Sequence, residues 1–226
     1  FTCTLFAPIK GENSFESLRT NHLVDTFFAT NFSDLQRIVP NISDQYFISP
    51  LSSLGLVRCS QWMKNDTILI GDACHATVPF YGQGMNSGFE DCYLLNDWID
   101  KNNRLHKDCI NDFFQKRIVD TMSMQDLSMS NFIEMRDKTA NPDFLLQKKI
   151  EFWFSKKHPN KWVPLYSMVT FSDIRYSKAV VRGKIQDGIM KTIMQKNNLS
   201  LNFDIKELER KNIEQQMLVE INRLCS

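Results

Sequence analysis

The residues whose types and spacing could do chemistry sit in one run: Gly71-Asp72-Ala73-Cys74-His75-Ala76, then Pro79-Phe80-Tyr81-Gly82-Gln83-Gly84-Met85-Asn86, then Glu90-Asp91. The apolar stretch Thr67-Ile68-Leu69-Ile70 predicts a strand that delivers Asp72 at its carboxyl end, where sheets place ligand sites. Proline and glycine then predict a turn, with a helix opening at Gly84. The first N–H groups of a helix lack intrahelical acceptors and stand at the positive end of its dipole. Glycine lets a flat ligand come close to that backbone. The device suits an electron-rich group, such as a phosphate or the N1/C2=O edge of a reduced flavin.

Each of these residues also has a structural reading. Asp72 could be a helix cap or turn aspartate, and Gly82, Gly84 and Asn86 could serve only to bend the chain. Glu90 and Asp91 fall in the first turns of the helix, where negative charge offsets the dipole. His75 reads as a packed or hydrogen-bonded histidine, and Cys74 and Cys92 as small core residues.

The run as a whole resembles the second FAD-binding motif of the flavin-dependent aromatic hydroxylases. The resemblance implies that Asp72 holds the ribitol of FAD. It also implies that the turn from Pro79 through Gly82 and Gly84 presents Met85 and Asn86 to the flavin edge. Two later stretches, Met129–Arg136 and Pro164–Ser172, are similar to those members that hydroxylate L-kynurenine. By that resemblance Asn131 and Tyr166 contact the amino-acid head of the substrate, Tyr166 at its carboxylate. Phe80 and Tyr81 line the aromatic pocket beside the flavin, and Glu134 and Met135 are further pocket residues. Asn131, Glu134 and Met135 fall at i, i+3 and i+4, on one helix face. The implied activity is FAD-dependent hydroxylation of L-kynurenine to 3-hydroxykynurenine with NADPH and O2, a step of tryptophan catabolism and pyridine-nucleotide biosynthesis. The alternatives are a non-catalytic relative acting through interactions, and an aromatic hydroxylase with another substrate. The family more often carries Phe where Tyr81 stands.

Composition bounds the reading. The chain has 226 residues, a formal net charge of +1 and 23% charged residues, so nothing in it points to a nucleic-acid partner. Its six cysteines form no CxxC pair and no zinc spacing, so no metal is expected and the thiols read as reduced. None of the eight glycines supplies the Gly-x-Gly-x-x-Gly turn that holds a dinucleotide pyrophosphate. With Phe1-Thr2-Cys3 at its start, the chain is expected to be amino-terminally incomplete and to hold FAD poorly alone. No apolar run reaches the ~18 residues of a membrane span. The resemblance implies association with the mitochondrial outer membrane; without an anchor the expectation is cytoplasmic.

The elements that must position these residues follow from pattern. Strands are expected at Phe1–Pro8, Leu54–Ser60 and Thr67–Asp72, the last buried in a parallel sheet. Short helices are expected within Ser14–Pro40, with Leu23, Phe27 and Phe28 on an apolar face, and Lys64-Asn65-Asp66 as a turn. The helix from Gly84 should pack Met85, Phe89, Cys92, Leu95 and Ile99 inward and end near Lys101-Asn102-Asn103. Further helices are expected over Asp108–Thr139, Phe144–Lys157, Tyr176–Lys196 and Leu201–Leu224, with Lys161–Ser172 irregular. The implied fold class is α/β: the end of a substrate-domain sheet, the last strand and helix of an FAD domain, then an α-helical domain. The expected divisions are residues 1–60, 61–105, 106–200 and 201–226.

Overall fold

The computed structural model describes residues 3–65, 67–102, 107–199 and 205–225. Phe1 and Thr2 of the expected first strand, Asp66, Asn103 and Leu201 lie outside them. The chain divides into two compact units between Ser53 and Leu54.

In the first unit, Cys3–Pro8 carries no regular structure, so the expected strand does not form there. Its end is held instead by a turn, in which the Phe15 and Glu16 N–H groups donate to the Pro8 and Ile9 carbonyls, both at 3.0 Å. Helix α1 (Asn21–Asn31) starts at Thr20, whose hydroxyl accepts from the Leu23 N–H. Helices α2 (Ser33–Ile38) and α3 (Ile42–Ile48) follow. Leu18, Val24, Phe28 and Ile42 make this unit's core. Val24 and Phe28, one turn apart, form the buried stripe; Leu23 points outward.

The second unit is helical with one small hairpin. Strand β1 (Met63–Lys64) pairs antiparallel with β2 (Thr67–Ile68), Met63 opposite Ile68 and Lys64 opposite Thr67. Asn65 turns the chain in the left-handed region, at φ 54°, which asparagine tolerates. The expected strand before Asp72 therefore exists, but as a hairpin arm and not in a parallel sheet. Leu54–Ser60 joins no sheet; its backbone is spoken for by a loop, Val57 N–H donating to Ala76 O and Cys59 N–H to Cys74 O, both at 3.1 Å.

The helices follow in order: α4 (Asp72–His75), α5 (Gly84–Asn102) and α6 (Lys107–Ile133). A π-helical turn over Glu134–Lys138 continues from α6. Then come α7 (Pro142–Lys157), α8 (Leu165–Thr170), α9 (Tyr176–Asn197), α10 (Ile205–Arg210) and α11 (Ile213–Cys225). Asn141 caps α7, accepting from the Asp143 and Phe144 N–H groups at 2.9 and 3.1 Å, and Pro142 takes the first position, where no N–H is needed. Lys161–Ser172, expected to be irregular, contains α8, whose start follows from the φ that Pro164 fixes. The single helix expected over Leu201–Leu224 is two.

Helix α6, at 27 residues and ~1.5 Å per residue, is the spine of the unit, about 40 Å long. Its buried stripe runs Ile110, Phe114, Arg117, Thr121, Met124 and Ser128, at spacings of three and four. One end packs in a cluster with Trp62 and Cys74, and the other with Tyr81, Met168, Val169, Tyr176 and Ala179. A third cluster joins α7, α9, α10 and α11 through Ile150, Phe154, Trp162, Met190, Leu208 and Met217.

Helix α5 departs from the expected face in its first half, while Leu95 packs inward against the Trp62 cluster as expected. Met85 is 72% and Phe89 67% exposed, Cys92 is exposed, and Ser87 and Asp91 are buried. The apolar periodicity loses because Arg117 reaches in from α6 and draws the polar face of α5 inside. No helix among the described residues is long and apolar enough to cross a membrane.

Candidate functional site

Gly71 adopts φ 60° and ψ −142°, a conformation open to glycine and strained for other residues. This bend sets Asp72 at the start of α4 with its side chain exposed to solvent. The turn is held from behind by Asp91, which is 2% exposed. Asp91 Oδ2 accepts from the Gly71 N–H at 2.9 Å and lies 2.6 Å from His75 Nε2, while Oδ1 accepts from Arg117 Nε at 2.6 Å. Arg117 donates onward to the Ser87 carbonyl and hydroxyl at 3.0 and 3.1 Å, and pairs with Glu90 at 2.8 Å. Burial opposes the Asp91 charge, but the bonds from His75, Arg117 and Gly71 and the Arg117 charge outweigh it. They hold its carboxyl below the ordinary carboxylate range.

Asp91 and Glu90 therefore do more than offset a helix dipole; both are partners of Arg117. His75 is hydrogen-bonded, as its structural reading required, and lies against Trp62 at 5.1 Å. Cys74, His75 and Asp91 gather within 4.8 Å. Both Asp91 oxygens in this trio already accept from N–H donors. The Cys74 thiol is also pushed up to about 12 by burial, then by Asp91 and Cys59, and so stays protonated. Cys74 is the buried small residue expected; Cys92 is not.

The turn that follows is built for a fixed presentation. Gly82 stands at φ 65°, its N–H donating to the Pro79 carbonyl at 3.0 Å. The buried Gln83 side chain accepts from Asn86 Nδ2 at 3.1 Å and from the Tyr176 hydroxyl at 3.3 Å. A Cβ on Gly84 would meet the Thr77 methyl at 3.3 Å. Helix α5 thus opens in a set orientation, with Met85 and Asn86 exposed in its first turn. The N–H groups of that turn are the unpaired donors of the helix start.

Beyond the turn lies a cavity of about 410 Å³. Tyr81, Asn131, Glu134, Met135 and Tyr166 all line it, so the structure gathers five of the expected substrate residues on one space. Asn131 Nδ2 donates to the Phe80 carbonyl at 2.8 Å, which ties α6 to the glycine turn and leaves Oδ1 as a further acceptor. Tyr81 stacks on Tyr166, 5.5 Å between ring centres at 22°. Burial, then Glu134, Tyr166 and Asp187, push the Tyr81 hydroxyl up to about 12, so it stays a neutral donor. Phe80 is not among the residues that line this cavity; its ring lies against Phe132 at 4.7 Å and its carbonyl accepts from Asn131.

Sequence reasoning missed the opposite wall. Lys148 and Glu151 of α7, Leu165 of α8, and Gly183, Gln186 and Asp187 of α9 also line the cavity. Glu151 is 7% exposed and accepts from Gln147 at 2.8 Å and Lys148 at 3.1 Å. Helical spacing alone carries no signal for these residues, because the packing of α7, α8 and α9 brings them together. The Asp91–Arg117 pair, 26 positions apart, was equally hidden.

A family model described as an FAD binding domain matches residues 52–99, the stretch that holds the glycine turn. The chain is 47% identical over 215 residues to a kynurenine 3-monooxygenase of Flavobacterium johnsoniae, covering 95% of this chain and 48% of that protein. Proteins of the same name from Christiangramia forsetii and Legionella pneumophila are 42% and 34% identical, over 93% and 99% of this chain and 47% and 49% of their own lengths. The chain spans about half the length of the curated relatives it matches.

Proposed function

The chain is a homologue of the kynurenine 3-monooxygenases, and we propose that it supplies part of the FAD site and much of the substrate cavity of an enzyme that hydroxylates L-kynurenine to 3-hydroxykynurenine with NADPH and O2. FAD is the cofactor, and the residues present fit it: an exposed carboxylate at Asp72, a glycine turn, and the open start of a 19-residue helix. In this reading Asp72 holds the ribitol. Pro79, Gly82 and Gly84 shape the turn, and the backbone at Met85 and Asn86 meets the polar edge of the flavin. Bound there, FAD supplies the redox chemistry that delivers an oxygen atom from O2 to the ring.

The protein's own contribution is orientation. Asn131 Oδ1 and the Tyr166 hydroxyl hold the amino-acid head, while Tyr81 and Met135 pack the aromatic ring. The aniline nitrogen of kynurenine already activates its ring, so the site needs no strong base. The single observation that carries the reading is the cavity itself. It collects Tyr81, inside the turn that would carry the flavin, with Asn131, Glu134, Met135 and Tyr166. The relatives named are bacterial and do not support a mitochondrial location.

The test is turnover by the full-length polypeptide containing this sequence, supplied with FAD, NADPH and O2. Formation of 3-hydroxykynurenine from L-kynurenine is the expected result. Oxidation of a simple phenol with kynurenine untouched would refute it in favour of another aromatic substrate.

A further inference from the structure

We propose that Asp91, held by His75 and Arg117, is the positioning residue of the flavin site: it fixes the distance between the Asp72 turn and the start of α5 without touching the cofactor. The inference rests on the FAD reading above. Those two contacts belong to separate segments, yet they must meet one ligand molecule, so their spacing has to be set by something. The first segment turns at Gly71, in a conformation open to glycine and strained for other residues. The side chain that bonds the Gly71 N–H is Asp91. The same oxygen meets His75 Nε2, so one atom ties both ends of the Gly71–His75 turn.

Asp91 also sits on α5, about one and a half turns from Met85 and Asn86, and is thus rigidly joined to the second contact. Its other oxygen is clamped by Arg117, which binds Ser87 and Glu90 of the same helix. Asp91, His75 and Arg117 are 2–3% exposed, so water cannot substitute for a lost partner. Gly71 and Gly88 pass so closely that a Cβ on Gly88 would lie 3.7 Å from the Gly71 Cα, which brings the turn directly against the helix. The imidazole pins the carboxylate where the Gly71 N–H meets it. Without that pin the carboxylate can follow Arg117 alone and release the turn.

The test compares His75→Phe, His75→Gln and Asp72→Ala in the full-length polypeptide, at a temperature where circular dichroism shows each variant folded. The readouts are FAD titration, the visible spectrum of bound flavin and kynurenine affinity of the FAD-saturated protein. His75→Phe keeps a ring against Trp62 but removes the donor to Asp91. It should raise the FAD dissociation constant about tenfold or more, the scale expected when a binding group is misplaced, and shift the flavin spectrum, with kynurenine affinity of the saturated protein unchanged. His75→Gln restores a donor and should recover most of the affinity; a role in packing alone would give the opposite order. If His75→Phe binds FAD like the unaltered protein while Asp72→Ala loses it, the positioning role is wrong and the FAD reading stands. If Asp72→Ala binds FAD normally, the FAD reading fails and takes this inference with it. If His75→Gln is as weak as His75→Phe, the hydrogen bond is not the cause and the inference is overturned.

Discussion

Asn131 and Tyr166 differ in what their loss should do. Asn131 already serves the protein through its bond to the Phe80 carbonyl, and only its oxygen remains for a ligand. Tyr166 is half exposed, stacked on Tyr81 and edge-on to Phe171 at 6.1 Å, and lines the cavity. Tyr166→Phe keeps both ring contacts and removes one bond to a charged group, worth about 1.5–3 kcal/mol. The expected result is a rise of roughly 10- to 100-fold in the kynurenine dissociation constant, with FAD affinity and melting temperature unmoved. Asn131→Ala should weaken kynurenine binding and also lower the melting temperature, because the Phe80 carbonyl loses its donor. Titration of the FAD-loaded protein with kynurenine, beside a thermal melt, separates the two effects; loss of FAD from Tyr166→Phe would show that the residue is structural. That Asn131 and Tyr166 share one cavity was legible because each lies inside a contiguous motif whose residues the fold keeps together. The Phe80 ring lies against Phe132, a contact that the sequence motif did not reveal. Asp91 was misread because a helix dipole is a local property and its true partner comes from another helix.

The helices set the cavity, and α8 is its most sensitive wall. Gly183 of α9 faces Leu165 of α8, and a Cβ there would stand 3.0 Å from both Leu165 methyls. The Leu165 side chain must give by some tenths of an ångström, and its crowding there presses on α8. Alanine is favoured over glycine within a helix by about 1 kcal/mol, a gain that offsets the strain of that shift. Gly183→Ala is therefore expected to leave the melting temperature nearly unchanged while weakening kynurenine binding several-fold, because Leu165 and Tyr166 both line the cavity. A calorimetric melt and a kynurenine titration on the same sample check this; unchanged affinity would mean that the Leu165 side chain absorbs the methyl alone. At the far end, Asn141→Ala removes the cap of α7 and should cost about 1 kcal/mol, read as a lower urea midpoint. The Gly84 start of α5 and the break at Asn141-Pro142 were legible, since they are backbone effects written in residue type; the start of α8 after Pro164 was not, because that stretch was expected to be irregular. Strand pairing was not: Thr67–Ile70 has the composition of a buried strand, but a strand takes its character from whichever neighbour bonds to it, here Met63–Lys64. The face of the first half of α5 was illegible for a related reason, Arg117 of α6 holding Ser87 and Asp91 inward in place of Met85 and Phe89.

At the scale of the whole second unit, the Asp91 cluster joins the hairpin region, α4, α5 and α6, so its ionisation should govern how the unit responds to acid. The carboxyl of Asp91 titrates below its ordinary range in the folded protein, despite a burial that works the other way. A folded pKa depressed below the unfolded one means that the unfolded chain binds the proton more readily as pH falls. The contribution is thus fully present above the ordinary carboxylate pKa, about 4, and is lost as pH drops through the folded value. The melting temperature should hold level from neutral pH to about 5 and then fall. Glu214, bonded by Lys157 and His158 where α7 meets α11, is depressed in the same direction and adds to the fall, with less weight because it is exposed to solvent. Asp91→Asn separates the two. It leaves Arg117 buried without its main counter-charge, a loss of about 3–5 kcal/mol at neutral pH, and removes the steepest part of the acid dependence. Melts from pH 7 to pH 3 should accordingly show the two proteins far apart at neutral pH and converging in acid. Parallel curves across the whole range would mean that the cluster stabilises by packing and hydrogen bonding, and that its charge contributes nothing to the fold.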